Sequence, residues 1–253
     1  MKQQEDYIAV FDSGVGGVSV LRELMALLPK ERYIYFGDCA NAPYGSRPTV
    51  QVQELTLAAA KMLQENYPIK ALVVACNTAT AAAITLLRHA YPDLIVIGIE
   101  PALKLAATRF PGGHIGVMAT EVTLREEKFD RLLQRFPECT VDKIPAPGLV
   151  ELIEGGKADS PEIRRLLQTI LGAYAGKLDA LVLGCTHYPF ASGAIRDILG
   201  EKTMLLDGGE GTARETLRRL REASLLRTEG PGSLEIRSSL DDEALRHLAM
   251  QYL

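Results

Sequence analysis

The feature of this 253-residue sequence that most restricts its fold is a regular alternation of two kinds of segment. Short runs of β-branched and other apolar residues predict strands at Tyr7–Phe11, Tyr33–Phe36, Ala71–Ala75, Leu94–Gly98, Ile115–Met118, Ala180–Leu183 and Met204–Leu206. Segments with helical spacing separate several of them and predict helices at Val18–Leu28, Val50–Glu65, Ala79–His89, Thr123–Arg135, Pro161–Tyr174 and Thr212–Glu222. Uninterrupted apolar strands that alternate with helices indicate an α/β fold, in which helices cover both faces of a parallel sheet.

The chain also contains an approximate copy of itself. Ile8–Asp12 (IAVFD) is similar to Ile115–Ala119 (IGVMA). Leu72–Cys76 (LVVAC) is similar to Leu181–Cys185 (LVLGC), at nearly the same separation along the chain. Chance similarity between strands of one composition is the alternative explanation. A duplication predicts two similar lobes that face each other across a cleft, each contributing one cysteine from the same topological position.

Composition limits the classes of function. Hydrophobic residues make up 47% of the chain and charged residues 24%, which is enough apolar material for a sizeable core. The formal net charge is −4 and no basic block is present, which argues against a nucleic-acid partner. The N-terminal sequence MKQQEDYIAVF lacks the apolar stretch of a signal peptide, and no run approaches the roughly 18 apolar residues of a membrane span. We therefore expect a cytoplasmic protein with no membrane partner.

The four cysteines stand far apart, with no C-x-x-C pair. In a reducing cytosol each is either a small buried hydrophobic residue or a reactive group. Cys76 directly follows a predicted strand, and Cys185 comes two residues after another. Ligands of parallel sheets bind beyond the carboxyl ends of the strands. These two cysteines are therefore predicted to face a site, whereas Cys39 and Cys139 are interpreted as structural.

Cys76 stands between a predicted strand and an alanine-rich helix. The next residues, Asn77 and Thr78, are of types that favour helix caps. The positive end of the helix dipole beside Cys76 predicts that the pKa of this thiol falls below its usual value of about 8.5. The free backbone N–H groups nearby predict a seat for a carboxylate.

Cys185, Thr186 and His187 repeat this pattern in the second half of the chain. His187 is placed to polarise a substrate or to share a proton with Cys185. Zinc binding is an alternative use of Cys and His, but the spacings do not match zinc-ligand patterns, and we expect no metal. Two cysteines on opposed lobes suit racemisation, which removes a proton from one face of a carbon and returns a proton to the other.

The segment from Asp12 to Gly17 (DSGVGG) follows the first predicted strand and opens the first predicted helix. Its glycines permit tight turns and expose N–H groups to an anion. A helix cap by Asp12 or Ser13 is one alternative. Dinucleotide binding is another, but the G-x-G-x-x-G pattern fails because its last position is Ser19.

Two further segments carry candidate site residues. Asp38–Gly45 (DCANAPYG) is a turn-rich loop after the second strand, and there Tyr44 and Gly45 offer a hydroxyl and an amide to a small polar ligand. Glu154 precedes Gly155 and Gly156, which predicts a helix end with a solvated carboxylate.

Four motifs occur in a fixed order, namely Asp12-Ser13-Gly14, Pro43-Tyr44-Gly45, Cys76-Asn77-Thr78 and Cys185-Thr186-His187. With them the chain closely resembles the glutamate racemases, of the aspartate/glutamate racemase superfamily, from about Ile8 to Asp207. This resemblance implies two pseudo-symmetric lobes, each a mostly parallel sheet flanked by helices, with the active site in the cleft between them. Residues 1–98 with 207–253 would form the first lobe, and residues 99–206 the second.

The resemblance also implies an activity, the interconversion of L- and D-glutamate without a cofactor. Cys76 and Cys185 would be proton acceptor and donor, exchanging roles with the hand of the substrate, and Asp12, Glu154 and His187 match positions thought to assist them. The residues implied to hold the substrate are Asp12, Ser13, Tyr44, Gly45, Asn77, Thr78, Thr120, Thr186 and His187. The family further implies a supply of D-glutamate for peptidoglycan, and homodimers are common in it.

Some alternatives stay open at the level of sequence. After Ala119 and Thr120 the chain reads EVTLRE, where many family members carry a continuation that contains Ser and Tyr, so the substrate contact at Thr120 is open. A racemase of the same superfamily that acts on aspartate would share both cysteines. A non-enzymatic module that binds an amino acid or a nucleotide would share the α/β frame but need neither thiol.

Overall fold

The computed structural model describes residues 2–99, 102–125 and 127–253. Its strands are β1 Tyr7–Asp12, β2 Arg32–Gly37, β3 Ile69–Val74, β4 Ile95–Gly98, β5 His114–Ala119, β6 Thr140–Pro145, β7 Ala180–Gly184, β8 Met204–Asp207 and β9 Ser233–Ser238. Its α-helices are α1 Val18–Leu27, α2 Thr49–Asn66, α3 Asn77–Ala90, α4 Leu103–Arg109, α5 Glu121–Arg125, α6 Glu127–Leu133, α7 Leu149–Glu154, α8 Pro161–Leu171, α9 Ser192–Leu199, α10 Gly209–Glu222 and α11 Asp242–Ala249. Within these ranges, no helix is long and apolar enough to cross a membrane.

The strands form two parallel sheets, which confirms the predicted α/β fold of two lobes. The first sheet has the order β4-β3-β1-β2-β9 and the second the order β6-β5-β7-β8. All neighbouring strands in both sheets run parallel. The pairing of β1 with β3 in one sheet corresponds to that of β5 with β7 in the other, so Cys76 and Cys185 follow equivalent strands. This is the correspondence that the repeated segments predict.

The C-terminal part of the chain belongs to the first sheet. Strand β9 pairs with β2 along its whole length, from Arg32 beside Ser233 to Gly37 beside Ser238. Apolar side chains of α10, β9 and α11 share one buried cluster with those of β1 and α1. This shared core supports the division of the chain into 1–98 plus 207–253 and 99–206, which stays a prediction.

Several elements differ from the predicted ones. The helix predicted at Thr123–Arg135 is two helices, α5 and α6, with residue 126 outside the described residues. Helix α8 ends at Leu171, and a 3₁₀ turn, Gly172–Tyr174, completes the predicted span. Strands β6 and β9 were missed because each lies at the edge of its sheet, where polar side chains face solvent and no apolar run is needed.

A buried ion pair joins the N-terminal residues and the segment after α10 to the first sheet. Lys70 Nζ lies 2.6 Å from Glu31 Oε2, and both side chains are at most 1% exposed. The same ammonium donates hydrogen bonds to the carbonyls of Gln4 (2.5 Å) and Leu225 (3.0 Å). The backbone N–H of Arg227 donates to Glu31 Oε1 at 2.9 Å. The pair therefore joins the N-terminal residues, β3 and the segment after α10.

Removal of one member of this pair should be costly. In Glu31→Ala the Lys70 ammonium stays buried without its counter-charge, and we expect the free energy of unfolding to fall by about 3–5 kcal/mol, measured by urea denaturation. Glu65→Ala is the matched control because it removes the exposed ion pair of Glu65 with Lys61, whose charged atoms lie 3.8 Å apart. Equal effects of the two substitutions would contradict the role of the buried pair.

Candidate active site

A small cavity lies where the carboxyl ends of the strands of both sheets meet. Its volume is only about 10 Å³, room for about one water molecule, so the site is nearly closed. Its lining residues come from both halves of the chain and are Ser13, Pro43, Tyr44, Gly45, Cys76, Asn77, Thr78, Thr120, Val150, Cys185, Thr186 and His187. Two predicted site residues, Asp12 and Glu154, adjoin this set through hydrogen bonds to Thr186 and His187. The structure thus brings all the predicted site residues together.

Cys76 occupies the position between β3 and α3 and is itself the cap of the helix. Its Sγ accepts a hydrogen bond from the N–H of Ala79 at 3.4 Å. The prediction that Asn77 and Thr78 supply the cap is wrong, because the helix already begins at Asn77 and both residues lie in its first turn. The thiol also lies 3.7 Å from Ser13 Oγ.

The predicted lowering of the Cys76 pKa is also wrong. Burial, and secondarily the charge of Asp12, raise the pKa of Cys76 to about 12. The residue is only 5% exposed, so the loss of hydration of a thiolate outweighs the favourable N–H of Ala79 at the helix end. Cys76 therefore rests as a thiol.

Cys185 has a different environment, formed by a chain of three polar side chains. Its Sγ lies 3.6 Å from His187 Nδ1, and His187 Nε2 lies 2.5 Å from Glu154 Oε1. The same carboxylate oxygen accepts the backbone N–H of Val15 from the other lobe at 2.8 Å. The prediction of a solvated Glu154 from its local sequence is wrong, since its side chain is only 22% exposed and bridges both lobes.

The His187–Glu154 contact is a charged pair. Burial lowers the pKa of His187, but hydrogen bonds with Cys185 and Glu154 more than offset it, and the pKa lies well above the ordinary value. Burial raises the pKa of Glu154, but the hydrogen bond and the charge of His187 lower this pKa by more than burial raises it. The carboxyl group is therefore ionised. An ionised carboxylate only accepts, so Nε2 of His187 carries a proton, and the Nδ1 side of the imidazolium faces Sγ of Cys185.

Asp12 links the lobes from the end of β1. Its side chain is fully buried, and burial raises its pKa. Oδ1 accepts the N–H of Gly14 at 2.9 Å, and Oδ2 accepts the hydroxyl of Thr186 at 3.0 Å. The alternative that Asp12 or Ser13 caps α1 is wrong, because the cap position is Gly17 and no side chain bonds there.

Glycines in the segment after β1 permit the close approach of the second lobe. A Cβ on Gly14 would lie 1.9 Å from Glu154 Oε1, and a Cβ on Gly16 would lie 2.5 Å from both His187 Nδ1 and Thr186 Oγ1. The anion that meets the exposed N–H groups of this segment is therefore a carboxylate of the protein itself, Glu154. The segment serves contact between lobes.

The loop after β2 makes a second contact between the lobes. The hydroxyl of Tyr44 donates to Asp38 Oδ2 at 2.6 Å and so anchors the loop. A Cβ on Gly45 would lie 2.6 Å from Cγ2 of Thr120 in the second half of the chain. Thr120 Oγ1 also lies 3.0 Å from Thr78 Oγ1. Thr120 thus meets the first lobe at two points.

One neighbour of the lining and one lining residue escaped the sequence analysis. Thr123 is buried, and its Oγ1 lies 3.0 Å from Thr120 Oγ1. Its spacing of three residues from Thr120 at the start of a helix is a signal that could have placed it there. Val150, on α7, lines the cavity but carries no local signal beyond being apolar.

One polar atom of the cavity lining has no hydrogen-bond partner. Among the described residues, Oδ1 of Asn77 is buried and accepts no hydrogen bond. A buried carbonyl oxygen without a partner costs free energy, so it is an acceptor available to a ligand.

The other two cysteines lie outside the lining. Burial raises the pKa of Cys39 to about 11, and Sγ of Cys139 donates to the carbonyl of Phe110 at 3.7 Å. Within the part of the chain that the structure describes, no three His, Cys, Asp or Glu side chains are placed to hold a metal ion.

Known proteins share this fold. Residues 10–216 match the Asp/Glu/Hydantoin racemase family. The chain is thus an enzyme of the racemase class.

Relatives match nearly the whole chain. A glutamate racemase from Clostridium perfringens is 43% identical over 249 residues, which cover 97% of this chain and 95% of the relative. One from Clostridium botulinum is 44% identical over 245 residues, covering 96% and 95%. The crystal structure of a glutamate racemase from Bacillus anthracis has a TM-score of 0.89 at 31% identity, covering 99% and 94%. That of the Escherichia coli enzyme, in complex with L-glutamate and an activator, has a TM-score of 0.82 at 33% identity, covering 97% and 95%. The chain belongs to the Asp/Glu/hydantoin racemase family.

The charged pair predicts a specific pH behaviour. In the native protein His187 should stay protonated as the pH rises through its ordinary pKa, because the contacts that raise its pKa persist. Glu154→Gln removes the negative charge beside His187, so the titration midpoint of His187 should fall. Proton NMR with ¹³C-labelled histidine measures this midpoint, and His187→Gln identifies the resonance.

A second carboxylate provides the control. Asp142 lies 2.7 Å from His114 Nε2, in a pair that is partly exposed. Asp142→Asn should leave the His187 midpoint in place. An unchanged His187 midpoint in Glu154→Gln would refute the charged pair.

Proposed function

We propose that the protein interconverts L- and D-glutamate without a cofactor, with Cys76 and Cys185 as its two acid/base groups. The observation that carries this proposal is that two buried thiols, from equivalent positions in the two lobes, line one small cavity. Racemisation requires two such groups on opposite faces of one carbon, one deprotonated and one protonated.

The environments of the two thiols support one protonated and one deprotonated group. Cys76 is held as a thiol by burial and by Asp12. The imidazolium of His187 beside Cys185 supplies the positive charge that a thiolate needs. In one direction, the Cys185 thiolate takes the α-proton while the Cys76 thiol delivers its own proton to the opposite face. That turnover leaves Cys76 as thiolate and Cys185 as thiol, which is the state that serves the other hand of the substrate.

Lowering the energy of the carbanion is the main demand, since an α-proton is far less acidic than a thiol. The N–H groups in the first turn of α3 favour binding of the substrate carboxylate there. Oδ1 of Asn77, which has no partner among the described residues, suits the substrate ammonium group. Asp12 on the Cys76 side and the Glu154–His187 pair on the Cys185 side are the proposed assisting groups.

Family membership supports the remaining parts of the proposal. Glutamate is favoured over aspartate because the relatives at 43% and 44% identity are glutamate racemases. The resemblance further supports a supply of D-glutamate for peptidoglycan synthesis, a cytoplasmic location and a homodimeric assembly.

The first test follows optical rotation and proton exchange together. Purified, dialysed protein is given L-glutamate in D₂O, and polarimetry is combined with NMR of the α-position. We expect the rotation to decay to zero while deuterium enters Cα. Parallel reactions with aspartate compare turnover on the two amino acids. Stable rotation without exchange for glutamate would refute the proposed activity.

The second test addresses the two thiols. Cys76→Ser and Cys185→Ser should each lower kcat/KM by on the order of 10²–10⁴-fold, because a hydroxyl is a much poorer acid/base group than a thiol. Enantiomers have equal free energy, so kcat/KM must fall equally in both directions in each variant. Cys139→Ser, which lies outside the cavity, should retain activity. Near-normal racemisation by either active-site variant would refute the two-cysteine mechanism.

A further inference from the structure

Ser19, in the first turn of α1, lies between two carbonyl groups from different halves of the chain. Its Oγ is 2.9 Å from the carbonyl oxygen of Gly16 and 2.9 Å from that of Thr186. The residue is only 7% exposed. A hydroxyl has one proton, so Ser19 donates fully to one of the two carbonyls at a time.

The carbonyl of Thr186 is the informative partner because of its position. Thr186 stands between Cys185, the proposed acid/base group of the second lobe, and His187, which assists it. Asp12 already holds its side chain at 3.0 Å. Ser19 holds its backbone, so two residues of the first lobe hold Thr186 at independent points.

We propose that Ser19 is a positioning residue for the racemisation proposed above. Its hydroxyl holds the Cys185–His187 segment against the first lobe by donating to the Thr186 carbonyl. When the lobes separate to admit substrate, the hydroxyl turns to the carbonyl of Gly16 within its own lobe. The hydroxyl thus has an acceptor in both states. Opening therefore avoids the free-energy cost of a buried hydroxyl without a partner.

Separation of the lobes is needed because the thiols are enclosed. Cys76 is 5% exposed and Cys185 is 7% exposed in this closed arrangement. Loss of the Ser19 hydroxyl takes this donor from the Thr186 carbonyl in the closed state. In the open state that carbonyl can bond to water, and the Gly16 carbonyl still accepts the N–H of Ser19 at 3.0 Å. We expect the balance to shift toward the open state on the order of threefold to tenfold.

The first test uses free protein and the reactivity of its thiols. Limited alkylation with iodoacetamide, followed by peptide mass spectrometry, gives a rate for each cysteine. In Ser19→Ala the rates at Cys76 and Cys185 should rise on the order of threefold to tenfold. The rate at Cys139, whose Sγ bonds within the second half of the chain, should stay constant and serves as the internal reference.

Two variants separate positioning from a general effect on a helix end. Ser192 begins α9, and its Oγ donates to the carbonyl of Pro189, three residues earlier, at 2.7 Å. Ser192→Ala removes this bond of the same kind within the second lobe and should leave all alkylation rates unchanged. Ser19→Thr keeps a hydroxyl and should restore rates close to those of the native protein. An equal melting temperature of the variants establishes that they are folded.

Kinetics give the second readout. The substrate complex of Ser19→Ala should spend less time closed, so kcat for glutamate should fall by no more than the factor seen in thiol reactivity, and Ser19→Thr should recover it. Native alkylation rates at Cys76 and Cys185 in Ser19→Ala would overturn the proposal, as would an equal rise in Ser192→Ala. Because alkylation requires no substrate, the role of Ser19 stands or falls independently of whether the native protein racemises glutamate.

Discussion

The geometry of the site depends on hydrogen bonds that cross from one lobe to the other. Thr186 donates to Asp12, and Val15 donates to Glu154, so each lobe supplies both a carboxylate and a donor. These bonds are possible because the segment after β1 has glycine where any side chain would collide with the opposite lobe. The cavity and its enclosure follow from this close approach.

The two lobes have equivalent topology but different chemistry around their thiols. Cys76 caps a helix and is kept protonated by burial and a neighbouring carboxylate. Cys185 instead faces a histidine that Glu154 holds in its charged form. A protein made of L-amino acids cannot be its own mirror image, so its two thiols meet the two mirror-image substrates in unlike surroundings. The proposed mechanism uses this difference, since one thiol and one thiolate are needed at the start of each turnover.

Sequence patterns predicted those features that depend on local burial. Every residue of β1 and β3 is buried, and the apolar runs Tyr7–Phe11 and Ala71–Val74 make up most of these strands. The edge strand β6 has one buried residue and no such run. Cys76 and Cys185 were found because they follow buried strands and because the segments before them repeat.

Features that depend on distant contacts were not predictable in this way. Glu154 meets a histidine 33 residues away and a backbone N–H 139 residues away, and neither distance leaves a local pattern. The dipole argument for Cys76 failed because desolvation is set by the packing of the whole lobe. Ser19 has the sequence context of an ordinary helix residue, and only the position of Thr186 makes it distinctive.

The pairing of β9 with β2 also has a consequence for synthesis on the ribosome. The second sheet is built from one continuous stretch of chain and can form early, whereas the first lacks an outer strand until residues 233–238 emerge. The first sheet is therefore completed after the second.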